Sequence, residues 1–409
     1  MPRACLGSDP GGRTEKYITY SRPSFRGPGR TTTRLIIALV AALLYAVPAA
    51  AEIFRIATYN TSMSRKGPGL LLKDILERDA QVMAVAQIIR MVRPDVLLLN
   101  EVDHDHENRA LRAFLDLLQE SSGVLDGIDY PYFFAPPQNA GIPSELDLNG
   151  DTLLRGPEDA YGYGNFRGQY AMALVSRFPI GADTVDLSSL LWRDIPGANL
   201  PVSEDGSPFP SAEAQSVMRL SSRAHWAIPL ERPGGGIFWA IAAHPTPPVF
   251  DGPEDANGKR NADEIRLLAA IAEGRVPGTA AVADAPVVIL GVLNADPNDG
   301  DGIRAAIRSL LIHPRLQDPT PASEGARIAA QNQAGANAGH RGDPAFDTAD
   351  WRDDPGPGNL RADFVLPSRD FTVHDAGVFW PVPGTPRAEL LHHAGERASD
   401  HYLVWVDLE

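Results

Sequence analysis

The residues Pro286 to Gly302, PVVILGVLNADPNDGDG, decide how this chain is read. Their first part, Pro286-Val287-Val288-Ile289-Leu290, is an unbroken β-branched and aliphatic run, the pattern of a short strand buried on both faces. The remainder reverses that character. Gly291 opens a segment in which Asn294, Asp296, Asn298, Asp299 and Asp301 crowd together, while Pro297, Gly300 and Gly302 force turns. Acceptor side chains at the carboxyl end of a buried strand are where an open α/β sheet places its chemistry. A strand followed by a solvated turn explains the same residues, so the stretch alone leaves both readings open.

Outward from this point the pattern recurs. Phe54 to Tyr59 reads as a strand ending on Asn60-Thr61-Ser62, and Asp95 to Leu99 as a second, ending on Asn100-Glu101 with Asp103, His104, Asp105 and His106 behind it. Between them Val82, Val85, Ala86, Ile89 and Val92 recur at helical spacing, predicting a helix over Ala80 to Arg93 that Pro94 stops. Leu111, Phe114, Leu115 and Leu118 predict another. Further strands are expected at Tyr170 to Ser176, Arg223 to Pro229, Ile237 to Ala243, Arg361 to Leu366, Phe371 to Trp380 and Tyr402 to Leu408. A loop over Thr246 to Arg260 should precede a helix from Asp263 to Ala272. Two irregular segments, 121–168 and 319–358, read as a long ordered insertion and a mobile loop, and both are expected to line the mouth of a site.

The first 51 residues differ from the rest. Arg22, Arg26, Arg30 and Arg34 precede the apolar run Leu35 to Val47, and Pro48-Ala49-Ala50-Ala51 supplies an Ala-x-Ala cleavage site before Glu52. This reads as a secretory signal peptide over 1–51 and a single domain over 52–409, secreted or periplasmic. A single-span anchor is the competing reading, although it wants about 20 apolar residues and this run is shorter. The leader holds seven basic and two acidic residues, so its loss takes the net charge from −15 to −20 (−15 − 5). A surface that acidic repels polyanions and disfavours bulk nucleic-acid binding. The only cysteine, Cys5, lies in the leader, and an exported chain with no disulfide fits a core large enough to need no staple.

Taken singly, a glutamate after a strand is a solvated cap and a lone histidine a satisfied core residue. Here Asn60, Glu101, His244, Asn294 and the Asp400-His401 pair all sit at strand boundaries, with Asp363 on a sixth strand. The order and wording of TYN at Asn60, NE at Glu101, YAMALVSRFPI at Tyr170 to Ile180, AAHP at His244, LNADP at Asn294, RADFV at Asp363 and SDH at Ser399 to His401 closely resemble the endonuclease/exonuclease/phosphatase superfamily. The likeness is to the deoxyribonuclease-I-like metal-dependent phosphoesterases, in particular a secreted bacterial branch.

That resemblance, with the strand and helix order, implies an α/β four-layer sandwich: two mixed β-sheets face to face, with helices on the outer sides. It implies a divalent-metal-dependent hydrolase of phosphate mono- or diesters that works by in-line attack of water. Glu101 would be the principal ligand of Mg²⁺ or Mn²⁺, assisted by Asn60 and Asp400. His401 would contact the scissile phosphate and move a proton, oriented by Asp363. His244 would be a second phosphate contact or the leaving-group acid, Asn294 would position the water or a phosphoryl oxygen, and Tyr170 would be a further phosphate contact. The partner expected is a small phosphate ester rather than long nucleic acid, and the protein a monomer.

One departure stands in the stretch quoted first. Where the superfamily has Gly-Asp-x-Asn, this chain has Gly291-Val292-Leu293-Asn294, and a valine neither accepts a proton nor binds a metal. A positioned general base contributes about 10²–10⁴ in rate. The alternative reading is therefore a catalytically weakened or inactive relative that serves as a binding protein.

Overall fold

The computed structural model describes residues 52–409; the leader and Cys5, and with them the signal-peptide reading, lie outside the described residues. Strands β1 (Phe54–Met63), β2 (Val96–Val102), β3 (Tyr132–Phe134) and β4 (Ala171–Ser176) come first along the chain. β5 (Val185–Asp186), β6 (His225–Glu231), β7 (Ile237–Ala243) and β8 (Val287–Val292) follow. The last are β9 (Ala349–Asp350), β10 (Asn359–Leu360), β11 (Asp363–Pro367), β12 (Val373–Val378), β13 (His392–His393), β14 (Glu396–Arg397) and β15 (Val404–Leu408).

A six-stranded sheet runs in the order β12-β15-β1-β2-β4-β3 and a five-stranded one in the order β11-β8-β7-β6-β5. Both are mixed: β1/β2 and β7/β8 are parallel, and the other pairs antiparallel.

The helices are α1 (Leu70–Leu76), α2 (Ala80–Val92), α3 (Arg109–Gln119), α4 (Ala212–Val217), α5 (Ala256–Ala272), α6 (Arg304–Leu311) and α7 (Glu324–Gln333). α2 starts where the Asp79 carboxylate accepts the backbone N–H groups of Gln81 and Val82, and it ends at Arg93, left-handed at φ 54°, before Pro94.

Alternation along each strand builds the layers. On β2, Leu97 and Leu99 face Val85 and Ile89 of α2 and Phe114 and Leu118 of α3, while Val96 and Leu98 belong to the cluster between the sheets. On β8, Val288 and Leu290 point into that same central cluster, with Trp226, Ile228 and Val365. Val287 and Ile289 face the other way, toward Ile265, Leu268 and Ile271 of α5 and Ile307 of α6. Three apolar interlayers thus separate helices, sheet, sheet and helices, which is the expected four-layer sandwich. Among the described residues no helix is long and apolar enough to cross a membrane.

Two expectations need correction. α5 begins at Ala256 rather than near Asp263, because its first turns are held by polar contacts that carry no apolar periodicity: Asn257 donates to the Val249 carbonyl and Arg260 to those of Leu220 and Arg219. The segment 319–358 is not a mobile loop. It contains α7, capped by Ser323, and β9 pairs with β10.

Gly291 shows why this position tolerates no side chain. Its φ of 154° and its approach to β7 would put a Cβ 1.9 Å from the Ala243 carbonyl oxygen. Gly291→Ala is expected to destabilise the fold by about 1–3 kcal/mol, read from the shift in a chemical-denaturation midpoint at unchanged slope.

Candidate active site

Strand direction determines which side chains meet. Because β1 and β2 are parallel, Asn60 and Glu101 reach the same rim of the first sheet; β4 and β15 run antiparallel to these strands, so Tyr170 and the Asp400-His401 pair enter at that rim too. On the second sheet the same logic brings His244 after β7 and Asn294 after β8 to one rim, with Arg223 before β6 and Asp363 at the start of β11. Face-to-face packing sets the two rims side by side.

Between them lies a cleft of about 570 Å³ whose wall includes Asn60, Glu101, His244, Asn294, Asp400 and His401. Asp363 lies behind the wall, 1% exposed, and Tyr170 beside it, near Glu101. Segment 319–358 supplies Trp351, Arg352 and Pro355 to Pro357, whereas no residue of 121–168 lines the cleft, contrary to expectation. That insertion is instead tied to β4 and to the loop before β6, through Gln138 to Met172 and Asn139 to the Ser221 carbonyl.

Several of these residues are held in a left-handed backbone: Ser62 (φ 49°), Glu101 (57°), Tyr170 (55°) and Asn294 (51°). Irregularities in the ladder accompany two of them, between Asn60 and Met63 and between Asn100 and Val102. Such bulges bend the strand end and re-aim a side chain, here turning Glu101 into the cleft.

His401 and Asp363 form a buried hydrogen-bonded pair. His401 Nδ1 lies 2.8 Å from Asp363 Oδ2, and the Thr348 hydroxyl donates to that oxygen at 2.6 Å while accepting the backbone N–H of Ala362 and Asp363. Burial works against a charge on His401, but the Asp363 carboxylate, with Asp400 and Glu101, carries its pKa up to about 9. His244 goes the opposite way: burial, then the charges of Arg223 and His401, press it well below the ordinary imidazole value, and its Nδ1 has no protein partner among the described residues. The cleft thus pairs an imidazolium with a neutral imidazole.

Glu101 is raised above the ordinary carboxylate range, chiefly by burial and further by Asp400, with Arg223, His401 and a hydrogen bond from Asn60 only partly offsetting this. A half-shielded carboxylate of this kind gains from an added cation. Asp400 accepts from the Ser62 hydroxyl, and Ser399 ties the two chain segments together by donating to the Asn60 carbonyl and accepting the His401 N–H. Among the described residues no three acidic, histidine or cysteine side chains gather as a ready-made cage. Two carboxylates and an amide suit an oxygen-seeking ion that keeps much of its own water, as Mg²⁺ does.

Some contributors escaped the sequence reading. Arg223, 6% exposed, places its charge near Glu101 and its guanidinium 5.7 Å above the Tyr170 ring. Glu264, fully buried on α5, accepts the N–H and hydroxyl of Ser222, next to Arg223, and the N–H of Thr246, two residues past His244. Asn261, one turn earlier, donates to the Thr246 and Leu293 carbonyls, and Asn294 donates to Pro245. A charge at the start of a buried strand was the available signal for Arg223; Thr348, Asn261 and Glu264 offered none.

Val292 pairs directly with Asp363 across β8 and β11. It is fully buried.

The solved structures similar to the chain include an endonuclease/exonuclease/phosphatase from Beutenbergia cavernae DSM 12333 (18% identity, 87% of this chain and 71% of that one, TM-score 0.49). A family protein from Leptotrichia buccalis C-1013-b (16%, 87% and 99%, 0.45) and the human Nocturnin catalytic domain with bound sulfate (15%, 88% and 97%, 0.43) are others. No curated protein sequence matches the chain. The Endonuclease/Exonuclease/phosphatase family model matches residues 57–401. The chain therefore belongs to the Endonuclease/Exonuclease/phosphatase family, a family of hydrolytic phosphoesterases.

Proposed function

We propose that this protein is an exported, divalent-metal-dependent hydrolase of small phosphate mono- or diesters, acting as a monomer by in-line attack of water. The observation that carries the reading is His401, backed by buried Asp363, standing in one cleft with Glu101, Asn60, Asp400 and His244. Glu101, Asn60 and Asp400 would hold Mg²⁺ or Mn²⁺, which when bound neutralises phosphoryl charge.

The chain's own groups then divide the work. His401, positively charged at neutral pH and fixed through Nδ1 by Asp363, turns its other ring nitrogen to a phosphoryl oxygen. Arg223 adds a second fixed positive charge behind Glu101. Asn294, held by its bond to Pro245, orients the water or an oxygen of the ester, with Tyr170 at the edge. Val292 cannot take the proton of the attacking water, and His244, a neutral ring whose Nδ1 has no protein partner among the described residues, serves as a second contact to the phosphate. Five carboxylates line the cleft against Arg352 and His401, which supports a small ester over a polyanion.

Hydrolysis of mono- and bis-nitrophenyl phosphate with Mg²⁺ or Mn²⁺ tests the reading. The natural chain is expected to exceed background, and His401→Ala to lower the rate by about 10²-fold or more. Should the natural chain sit at background while Val292→Asp gains a hundredfold, the chain is a binding protein that has lost its base. In metal-free protein, NMR should find His401 titrating near 9, falling below the ordinary value in Asp363→Asn, where burial acts with less to oppose it. A histidine whose folded pKa is raised contributes stability fully below about 6.5 and loses that contribution as pH rises through about 9. Thermal unfolding of metal-free protein should show this alkaline loss in the natural chain and less of it in Asp363→Asn.

A further inference from the structure

The cleft has two chemistries. Its floor is the polar set already described; its outer wall is apolar and stiff, made by Pro248, Phe250, Trp351, Pro355, Pro357 and Leu360. Phe250 is 93% exposed and its backbone is left-handed at φ 70°, a conformation a bulky residue rarely adopts. Burial cannot be what holds a phenylalanine there. Trp351 stands edge-on to His401, ring centroids 5.2 Å apart at 84°, so one aromatic ring of the wall lies immediately beside the group that would face the phosphate.

This wall shares one cleft with the polar floor, so a group esterified to a phosphate there has an apolar face within reach. Prolines fix the backbone of the wall, and rings offer flat faces, so the surface suits a flat, rigid group better than a flexible chain that would lose rotamer freedom on docking. Asp296, Asp299 and Asp301 on the same rim would repel further phosphates on the substrate.

We propose that the wall carrying Phe250 and Trp351 receives a planar aromatic leaving group, making the substrate class monophosphate esters of aryl or arylmethyl alcohols. This rests on the phosphoesterase reading of the floor, and the test keeps the two separable by measuring binding instead of turnover.

The experiment is titration calorimetry of the natural chain, with Mg²⁺ present, against benzylphosphonate and cyclohexylmethylphosphonate. Neither is hydrolysed, and they differ in flatness and aromaticity while sharing the anionic group. Benzylphosphonate is expected to bind about three- to tenfold more tightly. Phe250→Gly, which suits the left-handed backbone and so leaves the fold intact, should bring the two affinities together, as should Trp351→Leu. Equal affinities in the natural chain, or a preference that survives both substitutions, overturns the proposal. A chain that hydrolyses nothing yet shows the aromatic preference would refute the hydrolase reading and leave the wall's specificity standing.

Discussion

A carboxylate as thoroughly buried as Asp363 has to be matched by a positive charge or by donors, because the interior offers no water to do it. It is matched by His401 and Thr348, which share one of its oxygens, while the other has no protein partner among the described residues. Much of the site's arrangement follows from meeting that requirement. His401 must approach from the loop before β15, which Ser399 pins to β1; Thr348 must come from the segment before β9, which is thereby ordered. The charge so fixed on His401 then helps to keep His244 neutral. Two histidines of one cleft are thereby shifted in opposite directions, His401 up by its carboxylate neighbours and His244 down, chiefly by burial and Arg223.

α5 plays the corresponding part for the second sheet. Asn261 and Glu264 lie three apart, on one side of the helix, and between them grip the loop after β7, the loop after β8 and the approach to β6. The apolar side of the same helix, through Ile265, Leu268 and Ile271, seats it on the sheet. Packing and site geometry are therefore set by one element, and a change at Glu264 would be felt at both Arg223 and His244.

The layers were legible because their signal is local. Runs such as Val287 to Leu290 and Val96 to Leu99 declare strands, and the spacing of Val85, Ile89, Phe114 and Leu118 declares helices. The cleft was legible in part, since Asn60, Glu101, His244, Asn294, Asp400 and His401 each close or open a strand and strand direction brings them to one rim. Thr348 was hidden in a polar stretch that reads as loop, Asn261 lay ahead of the expected helix, and Glu264 sat among the polar residues at that helix's start. Their partners lie 14 to 42 residues away. Only the folded chain reveals that these polar groups face inward and are paired. The insertion 121–168 misled for a related reason: irregular composition marks a loop but not which side of the molecule it covers.

The pairing of β1 with β15 joins Phe54 to Leu408, so the centre of the larger sheet is built from the first and last strands of the described residues. Contacts of such sequence separation close slowly, since a long loop must be ordered before they form. Until residues 404–408 leave the ribosome, β1 keeps an open edge and His401 has no frame to hold it. Assembly of the His401–Asp363 pair consequently waits on a pairing that is remote along the chain.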